Sequence, residues 1–168
     1  MWTKRPAFGT WGDLPMADVR RRLKSELVEI VTGDPRVHDD VMTEYTLQAI
    51  IFEHVSWALG RRWRVLVEDF IHRTNMKSDL VIDRLTADGF PDEATGTIAV
   101  EVKPAGGIER LGPDIDKLKS YVRRSSNAVN CGILFYRSSR ETDPAAIRKR
   151  IGDFERTVSV AWIRKELE

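Results

Sequence analysis

Two short stretches decide how this chain reads: Ser78-Asp79-Leu80-Val81-Ile82 and Ile98-Ala99-Val100-Glu101-Val102-Lys103. Each is a short apolar run rich in β-branched residues and bounded by turn signals, which predicts a β-strand. Side chains alternate between the faces of a strand, so residues i and i+2 share one. Glu101 and Lys103 therefore point the same way, and Ile98, Val100 and Val102 point the other way into apolar packing. If the two strands pair, Asp79 joins Glu101 and Lys103 on one face. Two carboxylates and a lysine so placed suit a divalent cation and a water directed at phosphate.

Outward from this pair, Arg64-Val65-Leu66-Val67-Glu68 predicts a preceding strand, which Phe70-Ile71 can extend before the polar Arg73-Thr74-Asn75 turn. Residues 77–85 form the second strand, 87–92 a loop and 96–103 the third strand, so an antiparallel meander is expected. Pro104-Ala105-Gly106-Gly107 and Gly112-Pro113 then predict a mobile segment that lets backbone approach a ligand. It lacks the Gly-x-x-x-x-Gly-Lys-Ser/Thr pattern of a phosphate loop. Asp114 is the expected cap of a helix reaching about Ser125, with Ile115, Leu118, Tyr121 and Val122 on one side and Lys117, Lys119, Arg123 and Arg124 on the rest. A strand over 129–136, a helix from Asp143-Pro144 to Phe154, a strand over 157–163 and a solvated charged tail complete the C-terminal half.

On the N-terminal side, residues 1–12 read as an irregular arm. Its Trp2, Phe8 and Trp11 either dock on the domain or stack on nucleobases. Asp13 with Pro15 predicts a capped helix carrying Val19, Leu23, Leu27 and Ile30 or Val31 on one stripe, stopped by Gly33. Arg20, Arg21, Arg22 and Lys24 lie off that stripe, as a solvated face or a phosphate-contacting one. Asp39 or Asp40 is the expected cap of the next helix, which runs to Leu59, is ended by Gly60 and is buried through Leu47, Ile51, Val55 and Ala58. Glu44 lies on or beside that stripe. It has two readings: a partner for the positive end of the helix dipole, or a third acid leaning over the sheet. Glu53 is the weaker alternative for that role.

The bulk composition narrows the class. A chain of 168 residues suits one domain, and 42% apolar with 32% charged residues is that of an ordinary globular protein. Lys and Arg number 27 against 26 Asp and Glu, so net charge alone does not announce a nucleic-acid partner. Cys131 stands alone in an apolar run and reads as a buried thiol, which excludes an intrachain disulfide and fits a reducing compartment. No apolar run approaches the length of a membrane span, and no apolar h-region follows the N-terminus. A cytoplasmic location with no membrane partner is expected. His38, His54 and His72 are scattered without zinc-site spacing, and no serine-nucleophile or dinucleotide-binding pattern is present.

Taken together, Ser78-Asp79, then Glu101-Val102-Lys103 twenty-two positions after Asp79, and an acidic residue on the helix before the first strand resemble the PD-(D/E)XK nuclease superfamily. Ser78 stands where that family often has proline. Lys117-Leu118-Lys119-Ser120-Tyr121 falls where RecB-like members carry Gln-x-x-x-Tyr, with Lys117 in place of the glutamine. The resemblance spans about residues 41–136 of a single domain, 1–168. It implies an α/β fold of the restriction-endonuclease-like αβββαβ type, a mixed central sheet flanked by helices, plus an extra N-terminal helix.

The same resemblance implies a Mg²⁺- or Mn²⁺-dependent endonuclease-type hydrolase acting on DNA phosphodiesters. Asp79 and Glu101 would bind the metal, with the Val102 carbonyl as a further ligand. Lys103 would position the water, Glu44 would assist, and Lys117 and Tyr121 would face the substrate. Two rivals remain: a non-catalytic module of the same fold that binds nucleic acid or a protein, and a subunit of a larger nuclease assembly. A homodimer would suit two-strand cutting.

Overall fold

The computed structural model describes residues 5–70, 75–125 and 129–167; Trp2, Ile71, His72, Arg73 and Thr74 lie outside them. Five strands, β1 (Trp63–Phe70), β2 (Lys77–Arg84), β3 (Thr97–Lys103), β4 (Cys131–Ser138) and β5 (Val158–Arg164), form one sheet in chain order. β1, β2 and β3 make the expected antiparallel meander, whereas β3–β4 and β4–β5 are parallel. Parallel neighbours need a crossover. Helices α4 (Ile108–Arg124) and α5 (Pro144–Ile151) supply the two crossovers. The architecture is thus α/β, with a mixed sheet flanked by helices.

Alternation along the strands divides the core between the two faces. Leu80, Ile82, Ile98, Val100 and Val102 pack with α1 (Met16–Lys24), α2 (Glu26–Thr32) and α3 (Glu44–Leu59). Val81, Ala99 and Leu134 pack on the other face with Leu111, Ile115, Leu118 and Tyr121 of α4. Fully burying one such aliphatic side chain is worth about 1.5–3 kcal/mol, so the two faces together far outweigh any surface ion pair. β4 is buried along nearly its whole length, Cys131 included, as befits a central parallel strand covered on both sides.

Several boundaries differ from those expected, each for a local reason. The first helix breaks at Ser25 into α1 and α2, and its cap position is Pro15; Asp13 instead forms an ion pair with Arg62. Asp39 and Asp40 do not cap α3. The Thr43 hydroxyl does, accepting from the Thr46 N–H at 3.1 Å, while Asp34 caps the short 3₁₀ turn Pro35–His38. α4 begins at Ile108, so Asp114 and Pro113 lie inside a helix rather than at its start. A proline there forfeits a single early helix bond. The tail is tied down as well: Lys165 pairs with Asp40, and the Glu166 N–H donates to His38 Nδ1 at 3.0 Å.

The described part of the arm docks. Trp11 is buried, Phe8 packs edge-on against Trp57 with ring centroids 5.2 Å apart, and Trp63 Nε1 donates to the Gly12 carbonyl at 3.0 Å. Gly60, at φ 64°, ends α3 and lets the arm cross it: a Cβ there would stand 2.7 Å from Gly9 Cα.

Candidate active site

β2 and β3 pair from Asp83–Thr97 to Leu80–Val100 and then part. One further step of that register sets Asp79 opposite Glu101, and residues opposite each other in an antiparallel pair point to the same face. Asp79 bridges the opening with its side chain, Oδ2 accepting the Val102 N–H at 2.7 Å. Its carbonyl accepts Gln48 Nε2 of α3 at 2.7 Å. Glu101 is 3% exposed. Its Oε1 lies 3.0 Å from Ser78 Oγ, which also donates to the Val100 carbonyl at 2.7 Å.

Two carboxylates in a shared, largely buried corner oppose each other's ionisation. Burial, and then the charge of Asp79, push Glu101 up to about 7, against the opposing pull of Lys117 and Ser78. Burial also raises Asp79, with Glu44 and Asp114 adding to the rise and the Val102 N–H and Lys117 working against it. Burial is thus the leading cause of both shifts, and it disfavours two charged carboxylates in one corner.

Lys117 and Lys103 divide the cationic work in an unexpected way. Lys117 Nζ lies 2.7 Å from Glu101 Oε1. Lys103 Nζ lies 3.0 Å from Asp114 Oδ2 and 3.3 Å from Glu44 Oε2. Burial works against the Lys103 charge, but these two acids hold its pKa above the ordinary lysine value. Glu44, in the first turn of α3, thus reaches the sheet end through Lys103. Tyr121, expected to face substrate, is 1% exposed in the core between α4 and the sheet. That expectation is corrected: at its position on α4 the tyrosine turns inward with Leu118, and burial raises its phenol pKa. The N–H and C=O of one strand residue leave on the same side, so the Val102 carbonyl faces β2, as its N–H does.

Gln48 and Asp114 were not singled out as site residues. Gln48 offered a signal, a buried amide on the apolar stripe of α3. Asp114 offered none, because its role depends on where α4 starts. His54, one of the three scattered histidines, is buried and its Nε2 meets Asp34 Oδ2 at 2.9 Å. Asp34 also holds Arg36 through two guanidinium nitrogens, at 2.6 and 3.0 Å. Burial opposes the Asp34 charge, but Arg36 and His54 together hold its carboxyl well below the usual range. Cys131 is a buried free thiol, and burial pushes it up to about 11.

Among the described residues no group of three or more His, Cys, Asp or Glu side chains converges to hold a metal ion, and no described helix is long and apolar enough to cross a membrane. The donor set at the corner is the carboxylate pair Asp79 and Glu101, which suits a hard divalent cation that keeps several waters. No family model, no curated protein and no solved structure matches this chain.

Proposed function

We propose that the chain is a divalent-metal-dependent nuclease that hydrolyses DNA phosphodiester bonds on a restriction-endonuclease-like fold. The observation that carries this reading is the Asp79–Glu101 pair, set face to face where β2 and β3 part in a largely buried corner that disfavours the charged form of both carboxyls. The αβββαβ order of α3, the meander, α4 and β4 supports it.

Asp79 and Glu101 would hold Mg²⁺ or Mn²⁺, with the Val102 carbonyl on the same side of β3. When bound, such a cation supplies charge neutralisation at the phosphate and lowers the pKa of its water. The protein's own groups then have separate tasks. Ser78 and the Val102 N–H fix the two carboxylates in orientation. Glu44 and Asp114 keep Lys103 protonated at the end of β3; released toward substrate, its charge would stabilise negative charge developing on phosphate. Lys117, with its amine already at the corner, is placed to meet a phosphate oxygen once Glu101 takes a cation. The nucleic-acid partner, cytoplasmic working place and homodimer belong to the same proposal.

One observation favours a second reading, a nuclease-fold module that binds nucleic acid or protein without cutting, alone or as a subunit of a larger assembly. Lys103 is committed to two acids rather than free beside Asp79 and Glu101. A cleavage assay separates the two. Purified protein with Mg²⁺ or Mn²⁺ should cut supercoiled, linear or single-stranded DNA, and Asp79→Ala should lower the rate by about a hundredfold or more. Equal activity in the two proteins, or none on any DNA form, would end the enzyme reading.

A further inference from the structure

Glu68 has a backbone φ of 48°, the one positive value at a non-glycine position among the described residues. An L-residue is crowded there by its own Cβ, and such strain persists only where the surroundings fix it. Its place in the sheet is specific. Val67 pairs with Leu80 and Asp69 with Ser78, and the step between them, Glu68 with Asp79, is missing from the β1–β2 ladder. On the other flank the β2–β3 pairing stops at Leu80, one step short of Asp79. Asp79 is therefore outside the ladder on both sides.

Two bonds of other kinds hold it: Gln48 Nε2 to its carbonyl, and the Val102 N–H to its carboxylate, each 2.7 Å. A regular β1 would commit the Asp79 main chain to strand pairing. The Glu68 side chain is meanwhile fastened at the rim, 3.5 Å from Lys77 Nζ, so the carboxylate lies against a lysine and the backbone carries the effect.

We propose that Glu68 is a positioning residue: its left-handed backbone takes one step of β1 out of pairing with Asp79, leaving the Asp79 carbonyl to Gln48 and its carboxylate free to reach Val102 beside Glu101. The proposal rests on the reading of Asp79 and Glu101 as the site, and it concerns the geometry of Asp79 whether or not that site cuts DNA.

The test compares Glu68→Gly, which accepts positive φ, with Glu68→Val, whose branched side chain opposes it. The first readout is hydrogen exchange at the Val102 amide in the whole protein, with the Ile133 and Phe135 amides of β4 as the measure of intact fold. Glu68→Gly should keep wild-type protection at Val102 and raise Tm by about 3 °C. Glu68→Val should lose about tenfold of that protection while β4 stays protected. Should Glu68→Val fail to fold, Glu68→Thr takes its place under the same terms. A folded Val or Thr variant with wild-type protection at Val102 would overturn the proposal. So would a glycine variant that loses as much, since the carboxylate rather than the backbone would then be at work.

Mn²⁺ titration of the same proteins separates this from the functional reading. If wild type takes up no Mn²⁺ and the Val102 pattern holds, the metal reading fails and the role of Glu68 stands. If Mn²⁺ binds through Asp79 and Val102 is indifferent to Glu68→Val, the positioning role fails and the metal reading stands.

Discussion

Glu101 shows how one buried carboxylate couples the site to stability. Its pKa in the folded chain is pushed from 4.5 up to about 7, by burial first and Asp79 second. Between those values the folded state binds more protons than the unfolded state, so stability falls as pH rises through the window. The cost is absent below about pH 4.5 and fully present above about pH 7. In cation-free buffer, Glu101→Gln should therefore gain thermal stability over wild type progressively from pH 4.5 to 7, measured as the difference in Tm. A difference that does not change with pH would contradict the charge argument. Strand alternation alone made Glu101 and Lys103 legible as one-face neighbours, and the meander brought in Asp79. The partners of the two lysines were not legible, because a long flexible side chain answers to whichever carboxylates the helices bring near. Tyr121 failed for a related reason: on an amphipathic helix a tyrosine beside Leu118 reads equally well as a rim or a core residue.

At the scale of elements, the strands read more truly than the helix ends. β-branched runs announced β2 and β3 to within a residue. α4 was expected to start at Asp114, since Gly106-Gly107 and Gly112-Pro113 are strong loop signals. Burial of Leu111 and Ile115 on the sheet outweighs the cost of one proline in the second turn. The kink at Glu68 had no sequence signal, because glutamate carries no preference for positive φ. The end of α3 gives a sharp test. Gly60 sits at φ 64° with Gly9 Cα 2.7 Å from where a Cβ would be, so Gly60→Ala meets both backbone strain and a backbone clash. Urea unfolding should show a loss of about 2 kcal/mol; a loss under about 0.5 kcal/mol would mean that the arm does not cross α3 this closely. At the other end of α3, Thr43→Ala removes the cap and should cost about 1 kcal/mol in the same measurement.

On the scale of the molecule, the order of strands and helices and the antiparallel meander followed from the apolar runs, while the mixed sheet flanked by helices and the direction of the chemistry came with the resemblance to a nuclease fold. The ion network around Asp34 was not legible in the sequence, because His54, twenty positions away, meets Asp34 only once α3 has packed. Asp34 is fully buried, ties the 3₁₀ turn to α3 through His54 and holds Arg36 of the turn itself. Removing one partner leaves the others uncompensated, so Asp34→Ala should destabilise the whole fold by about 3 kcal/mol. Its depressed pKa means that this stability is present above the ordinary aspartate range and is lost as pH falls. Acid should thus erode the difference between wild type and variant. The network supports the sheet from one face, and the Asp79–Glu101 corner opens on the other. The most direct test of that corner is calorimetric titration of Mn²⁺ above pH 7 into wild type, Asp79→Asn and Glu101→Gln. The account predicts a site in wild type whose affinity falls about tenfold or more in each variant. Equal affinity in the three proteins, or no binding to wild type, would contradict it.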